Sequence, residues 1–430
     1  MNDVGVRSET SPLELIVTSP PGGEFDLMLP ENLERQRTAP DGSAFPSPDY
    51  LLFDDLVLLS ALQREHRTLV DVIQAVTGEE GHLTWRQLLI ETLGLADARR
   101  EAIAETLHLE VSIYKQGAVN LAASRTSLER LDAPRLAWAF VSGRDPFDKR
   151  PIFTWPIPNA LFARDLAAVA GKSLISTYAA EPARVREMVL TRIILKHHRR
   201  FRDIDRIDVG DEGRFVPGVT LEGGDIQVLD PRVAVVGIGI RTSRQAVERL
   251  AKELLTRDFE VVFGVELPRN RGAMHLDTLM TRIDDDHALV YPPLVTAPES
   301  VGARVTRFTS RGTKDAGPSL LQALAEVGVV LSPVFCGGHD PITQAREQWS
   351  DGANAFALAP GVIVLYARNT ATLRELNRAG YEVVTPEMFI ANALYYIGAR
   401  RRIVVALPGH ELVRGRGGPR CLTLPLRRAT

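Results

Sequence analysis

The chain has 430 residues, of which 45% are hydrophobic and 24% charged, with a formal net charge of -3. That balance excludes wholesale disorder and gives enough apolar material for one large interrupted domain or two to three ordinary ones. A near-neutral charge provides no bulk attraction for nucleic acid or an anionic membrane surface.

Two cysteines, Cys336 and Cys421, are too few for a disulfide scaffold and fit a reducing compartment. The opening run MNDVGVRSET has neither a basic leader nor an apolar stretch of the secretory kind. The apolar runs at 326–336 and 355–366 are too short and interrupted to cross a bilayer as helices. A soluble cytoplasmic protein is expected.

In chain order, LELIVTS at 13–19 reads as a strand, broken by Pro20, Pro21, Gly22 and Gly23. Residues 32–48, polar and rich in Gly and Pro, read as a loop. Apolar residues recur at helical spacing from Asp55 to Val76, with Arg64, Glu65, His66 and Arg67 as a polar face. Strong helix formers dominate 83–140, which predicts a helical cluster, either an inserted subdomain or a linker. Strand-like runs follow at 151–155, 226–238, 260–266, 287–291, 328–335, 361–366 and 402–406. Helical candidates at 181–197, 243–256, 316–326, 370–379 and 386–397 alternate with them, as in an α/β body. Periodicity leaves open whether the strands form one open sheet or several small ones.

The chemistry-bearing residues fall in short patterns: Asn159 and Asp165 in PNALFARD, Glu222 and Asp225 in LEGGD, His275 and Asp277 in MHLD, and Cys421 after GRGGPR. Brought to one cleft, they supply a nucleophile, a proton-transfer group and several carboxylates. That set suits a planar cation such as guanidinium, whose N–H donors have fixed geometry. Asp165 and Asp277 can accept paired hydrogen bonds from it and turn its central carbon toward a thiolate on Cys421. His275 can protonate the leaving amine and then activate water, supported by Glu222. Arg420 beside the cysteine can favour its thiolate.

Taken singly, each pattern has an ordinary structural reading. MHLD can be packing and surface hydrogen bonding, LEGGD a strand-adjacent turn, PNALFARD a turn with a surface Arg–Asp pair, and Cys421 a small buried hydrophobe. Cys336, after an apolar run, reads as a packed thiol. No Walker A or dinucleotide-binding spacing occurs, and Gly415, Gly417 and Gly418 alone make only a turn or an anion-binding loop. The adjacent His197 and His198 point apart on a helix, and Arg199 and Arg200 suggest a solvated end, while His339 and Asp340 suit loop hydrogen bonding, so no metal ligand is assigned.

These patterns resemble the arginine deiminase family of guanidino-modifying enzymes. The resemblance runs through LLFDD at 51–55, QREH at 63–66, PNALFARD, LEGGD, MHLDT, the segment CGGHDPITQAREQWSDGANAFALAPGVIVLYARN and the ending ELVRGRGGPRCLTLPLRR. REQWSDGAN together with RGRGGPRC is its most specific part. The resemblance implies a pseudo-fivefold α/β propeller formed by 1–75 and 150–430, with an inserted helical subdomain at 76–149. It implies hydrolysis of free L-arginine to citrulline and ammonia through a covalent adduct on Cys421, with His275, Glu222, Asp165 and Asp277 as its catalytic partners. Asn159, Phe162, Arg184, Asp225, Arg241, Gly415 and Arg416 are implied to bind substrate, the last two in a mobile loop. It further implies no cofactor or metal, no nucleic-acid or membrane partner, and a homodimer or higher homo-oligomer. One departure is Gly239 and Ile240 before Arg241, where relatives often carry a small polar and an acidic residue. Amidino transfer to an amine, and arginine binding without catalysis, are the competing functions.

Overall fold

The computed structural model describes residues 4–39, 41–113, 120–211 and 216–429. Within it, five small sheets follow one pattern. Two strands, adjacent in sequence in four of the five, pair antiparallel, and a helical crossover then leads from the second to a parallel partner.

In the first blade Ala167–Ala170 pairs with Ser173–Ser176, and the helix Pro182–His197 leads to Arg206–Ile207. In the second, Ile226–Asp230 pairs with Val233–Ile238, and Arg244–Leu255 leads to Val261–Glu266. The third joins Met280–Arg282, His287–Val290 and Ser332–Phe335, and the fourth Phe356–Ala359, Val362–Tyr366 and Ile403–Leu407. The fifth is assembled from distant parts of the chain. Thr423–Arg428 pairs antiparallel with Leu13–Thr18, which runs parallel to His82–Thr84 after the helix Leu59–Thr77. Five such units form a pseudo-fivefold α/β propeller.

Local chemistry explains the elements. VAVVGI at 233–238 and VIVLY at 362–366 are buried along their whole length, as β-branched strands covered on both faces should be. The helix Arg244–Leu255 is capped by Ser243, whose hydroxyl accepts from the Ala246 amide, and it buries Val247, Leu250, Ala251 and Leu254 on one face.

Several expectations change. Residues 151–155 form no strand: only Pro151 makes an isolated bridge, to Arg144, because the segment is a turn-rich entry to the first blade. The run 226–238 is two strands of a hairpin, since Pro231 and Arg232 form the turn between them. Strands at 167–170, 173–176, 305–309, 312–315, 356–359 and 423–428 add to those expected; Val305–Thr309 and Gly312–Asp315 extend the second blade.

Within 83–140 the chain forms helices at Trp85–Leu93, Ala96–Ser112, Leu121–Glu129 and Ala133–Ser142; residues 114–119 lie outside the described residues. These helices are fastened to Pro182–His197. Trp85 Nε1 donates to Thr191 Oγ1 at 2.9 Å, and His198, buried rather than solvated, bonds Glu91 at 3.0 Å. His197 likewise bonds Glu101 at 2.7 Å, so both histidines are tied to the helical cluster. Among the described residues no helix is long and apolar enough to cross a membrane.

Ile16, fully buried at the centre of the fifth blade, joins the two ends of the ladder. Ile16→Ala should cost about 2–5 kcal/mol, lower the thermal midpoint and raise amide exchange across 423–428. Loss of protection confined to 82–84 would show that the ring is closed elsewhere.

Candidate active site

The segments that immediately precede the first strand of each blade converge at the hub. Asp165 stands before Ala167, Glu222 and Asp225 before Ile226, His275 and Asp277 before Met280, Asn354 before Phe356, and Cys421 before Thr423. Hydrogen bonds link these segments in a closed cycle. Arg164 N donates to Cys421 O (3.0 Å), Cys421 N to Asn354 Oδ1 (3.2 Å), and Asn354 Nδ2 to Asp277 O (3.1 Å). Leu276 N then donates to Asp225 Oδ1 (2.9 Å) and Gly224 N to Asp165 Oδ1 (3.0 Å).

The glycines of LEGGD have a steric reason. A Cβ at Gly224 would lie 2.7 Å from His275 Nδ1 and 2.9 Å from Asp165 Oδ1, and one at Gly223 would meet the Arg164 carbonyl. Side chains here would push the reacting groups apart.

Cys421, His275, Asp165, Asn159, Phe162, Arg184, Arg241, Gly415 and Arg416 line one cavity with Leu52, Met274 and Thr278. At about 20 Å³ it holds roughly one water. A larger ligand therefore requires the lining to move. Glu222 lies behind His275, bonded to it at 2.9 Å, and Asp277 Oδ2 is 3.9 Å from the Cys421 sulfur.

Buried charges dominate the electrostatics. Glu222 is also close to Arg241 (3.3 Å) and Arg184 (3.5 Å). Burial works against its charge, yet Arg241, the His275 hydrogen bond and Arg184 pull its pKa well below the usual carboxylate range. Burial likewise opposes charge on His275, but the carboxylates of Asp165 and Glu222 outweigh it and raise the imidazole to about 9. The Cys421 thiol is pushed far up by burial and by Asp277 and Asp165, so Arg420 does not activate it. The reason is geometric: the Arg420 guanidinium turns away to Asp277 (2.7 Å) and Glu9 (3.1 Å).

Both aspartates expected to grip a guanidinium already hold one from the chain itself. Arg184 bonds Asp165 at 2.6 Å, and also Glu187 and the Asn159 carbonyl; Arg420 bonds Asp277 Oδ2, which leaves Oδ1 without a hydrogen bond. Asp225 does not line the cavity; it accepts from the Leu276 amide, with its pKa raised by burial to about 6.

Asp165, Glu222 and His275 place donor atoms within 4.8 Å of one another, as do Asp284, Asp286 and His287. Arginines already neutralise both groups: Arg184 and Arg241 in the first, and Arg402, 2.8 Å from Asp284 and 2.7 Å from Asp286, in the second. Cys336 is a buried thiol raised to about 12 by desolvation, consistent with packing.

Three residues near the site had no role assigned from sequence. Asn354 accepts from both the Arg420 and Cys421 amides. Asp351 is buried with neither oxygen hydrogen-bonded, and burial raises it to about 7. Trp349 stacks on Arg416. All three lie in REQWSDGAN, and Asn354 occupies the same place before its blade as Asp165 and Cys421 do before theirs.

A propeller with a thiol, an imidazole and carboxylates from different blades at its hub defines the class as a guanidine-modifying enzyme. The fold matches that of an amidinotransferase from Microseira wollei, of the saxitoxin biosynthetic pathway, with a TM-score of 0.53 and 12% identity over 99% of this chain and 98% of the other. The arginine deiminase family model matches residues 49–428, and the chain belongs to that family. It is 32% identical to an arginine deiminase of Listeria monocytogenes serotype 4a over 99% of this chain and 98% of the relative. It is also 32% identical to one of Mycobacterium marinum, covering 100% and 99% respectively.

The carboxylates around His275 make its charge state measurable. In the ligand-free protein the His275 ring should titrate near 9 by NMR, and Glu222→Gln should move that titration downward by removing one of its two main anionic supports. A ring titrating at the ordinary value of ~6.5 in the wild type would contradict this account of the site.

Proposed function

We propose that the protein hydrolyses free L-arginine to L-citrulline and ammonia, with Cys421 as nucleophile. One observation carries this reading: Cys421, His275 and Asp165 share a cavity whose lining also includes Asn159, Arg184, Arg241 and Arg416. The acidic groups suit a guanidinium, and the amide and cationic groups suit the carboxylate of the same amino acid. Family membership independently points to the same reaction.

The mechanism follows from the charges. Before substrate binds, burial and neighbouring carboxylates keep Cys421 as a thiol. A guanidinium seated over the sulfur supplies the missing positive charge, so the thiolate forms and its proton passes to solvent. For this to happen Arg184 and Arg420 yield acceptor positions on Asp165 and Asp277, and the free Asp277 Oδ1 provides one at once. The sulfur attacks the central guanidinium carbon. His275, protonated at neutral pH, gives its proton to the departing nitrogen, and ammonia leaves. The neutral imidazole next takes a proton from water, whose oxygen attacks the same carbon. Collapse of that intermediate breaks the C–S bond and releases citrulline. Neither a metal nor a redox cofactor is required for these steps.

Of the expected span 76–149, the strand His82–Thr84 belongs to the fifth blade, and the helices from Trp85 to Ser142 form an insertion that buttresses the first blade, as the Trp85–Thr191 bond suggests. Free, buried cysteines fit a cytoplasmic enzyme. The helix Pro386–Gly398 exposes Met388, Ile390, Leu394 and Tyr395, which supports homo-oligomer formation.

Purified wild-type protein should release citrulline and ammonia from L-arginine in equal amounts, and Cys421→Ser should lose activity by roughly three orders of magnitude or more. Ornithine formed only when an acceptor amine is supplied would assign amidino transfer instead. Binding of arginine by folded wild-type protein with no turnover would leave a binding function.

A further inference from the structure

Arg416 differs from the other arginines at the hub. Its backbone is left-handed (φ 62°) and its side chain is buried, yet none of its guanidinium nitrogens makes a hydrogen bond. Its closest carboxylate in an ion pair, Asp54, is 3.9 Å from Nε. What holds it is Trp349, whose ring centroid lies 3.8 Å from the guanidinium carbon. Trp349 is the last residue of the helix Pro341–Trp349 and is itself 44% exposed, so its indole lies partly open to solvent while it covers the cation.

A cation held against a ring face is attracted without using any N–H donor. Arg184 and Arg420 show the contrast, since their donors are already bonded to carboxylates and carbonyls. Asp351, two residues after Trp349, carries the buried, unbonded carboxylate on which Arg416 exerts the largest attractive charge. Without the indole, Arg416 is free to turn toward Asp351 or Asp54 and away from the cavity it lines.

We propose that Trp349 is a positioning residue. It holds the Arg416 guanidinium at the cavity with its donors free, so that they can engage the α-carboxylate of the substrate. This rests on the arginine-hydrolysing reading above. The proposed contact is to the carboxylate of the substrate and not to the reacting carbon, so its loss should appear in KM more than in kcat.

The test compares wild type with Trp349→Leu, which keeps apolar bulk but has no π face, and with Trp349→Phe, which restores one. Steady-state kinetics with L-arginine should show KM raised about threefold to thirtyfold in W349L, with kcat within about twofold of wild type and recovery of most of the loss in W349F. Thermal midpoints measured alongside confirm that both variants are folded. A W349L enzyme with wild-type KM overturns the proposal. So does a loss confined to kcat, or a W349F enzyme no better than W349L. An inactive wild type would instead remove the reading on which the proposal rests.

Discussion

The site depends on the closed cycle of hydrogen bonds at the hub. Each link runs between segments of adjoining blades, so the position of any one reacting group is set by its neighbours on both sides. Cys421 illustrates this: its carbonyl accepts from the segment bearing Asp165, and its amide donates to Asn354, which in turn holds the segment bearing Asp277. Bonds of this kind hold backbone, carboxamide and carboxylate groups in place without using the sulfur or the imidazole.

Charge is the second constraint. Burying carboxylates and guanidiniums this deeply is costly unless they are paired, because isolated charges are poorly solvated away from water. The hub meets that condition with its own arginines: Arg184 on Asp165 and Arg420 on Asp277. The carboxylates that suit an incoming guanidinium are thereby oriented before it arrives. On the proposed reading, binding is an exchange of one guanidinium for another at aspartates that are already buried.

Much of this was legible in the sequence. Asp165, Glu222, His275 and Cys421 stand out because reactive residue types occur in short, unusual contexts, and the structure brings them to one place. The five blades were harder to see. Strands of two to six residues carry little periodicity, and the fifth blade pairs Leu13 with Arg428, a relation no local window contains. Arg184 and Asp225 show the limit for individual roles. The family resemblance puts both near a substrate, while their actual bonds, to Asp165 and Glu187 in one case and the Leu276 amide in the other, depend on the packed hub. Asn354 was hidden for a different reason, since a single asparagine has many structural uses and only the repeat of blade positions marks it.

The pairing of Leu13–Thr18 with Thr423–Arg428 also bears on how the site comes into being. During synthesis the other four blades emerge before residue 421, whereas the strand that will flank Cys421 waits for a partner about four hundred residues away. Contacts of such sequence separation form late and slowly. The reactive thiol therefore joins its imidazole and carboxylates only when the whole ring has closed, and a partly folded chain has no assembled centre with which to act on arginine.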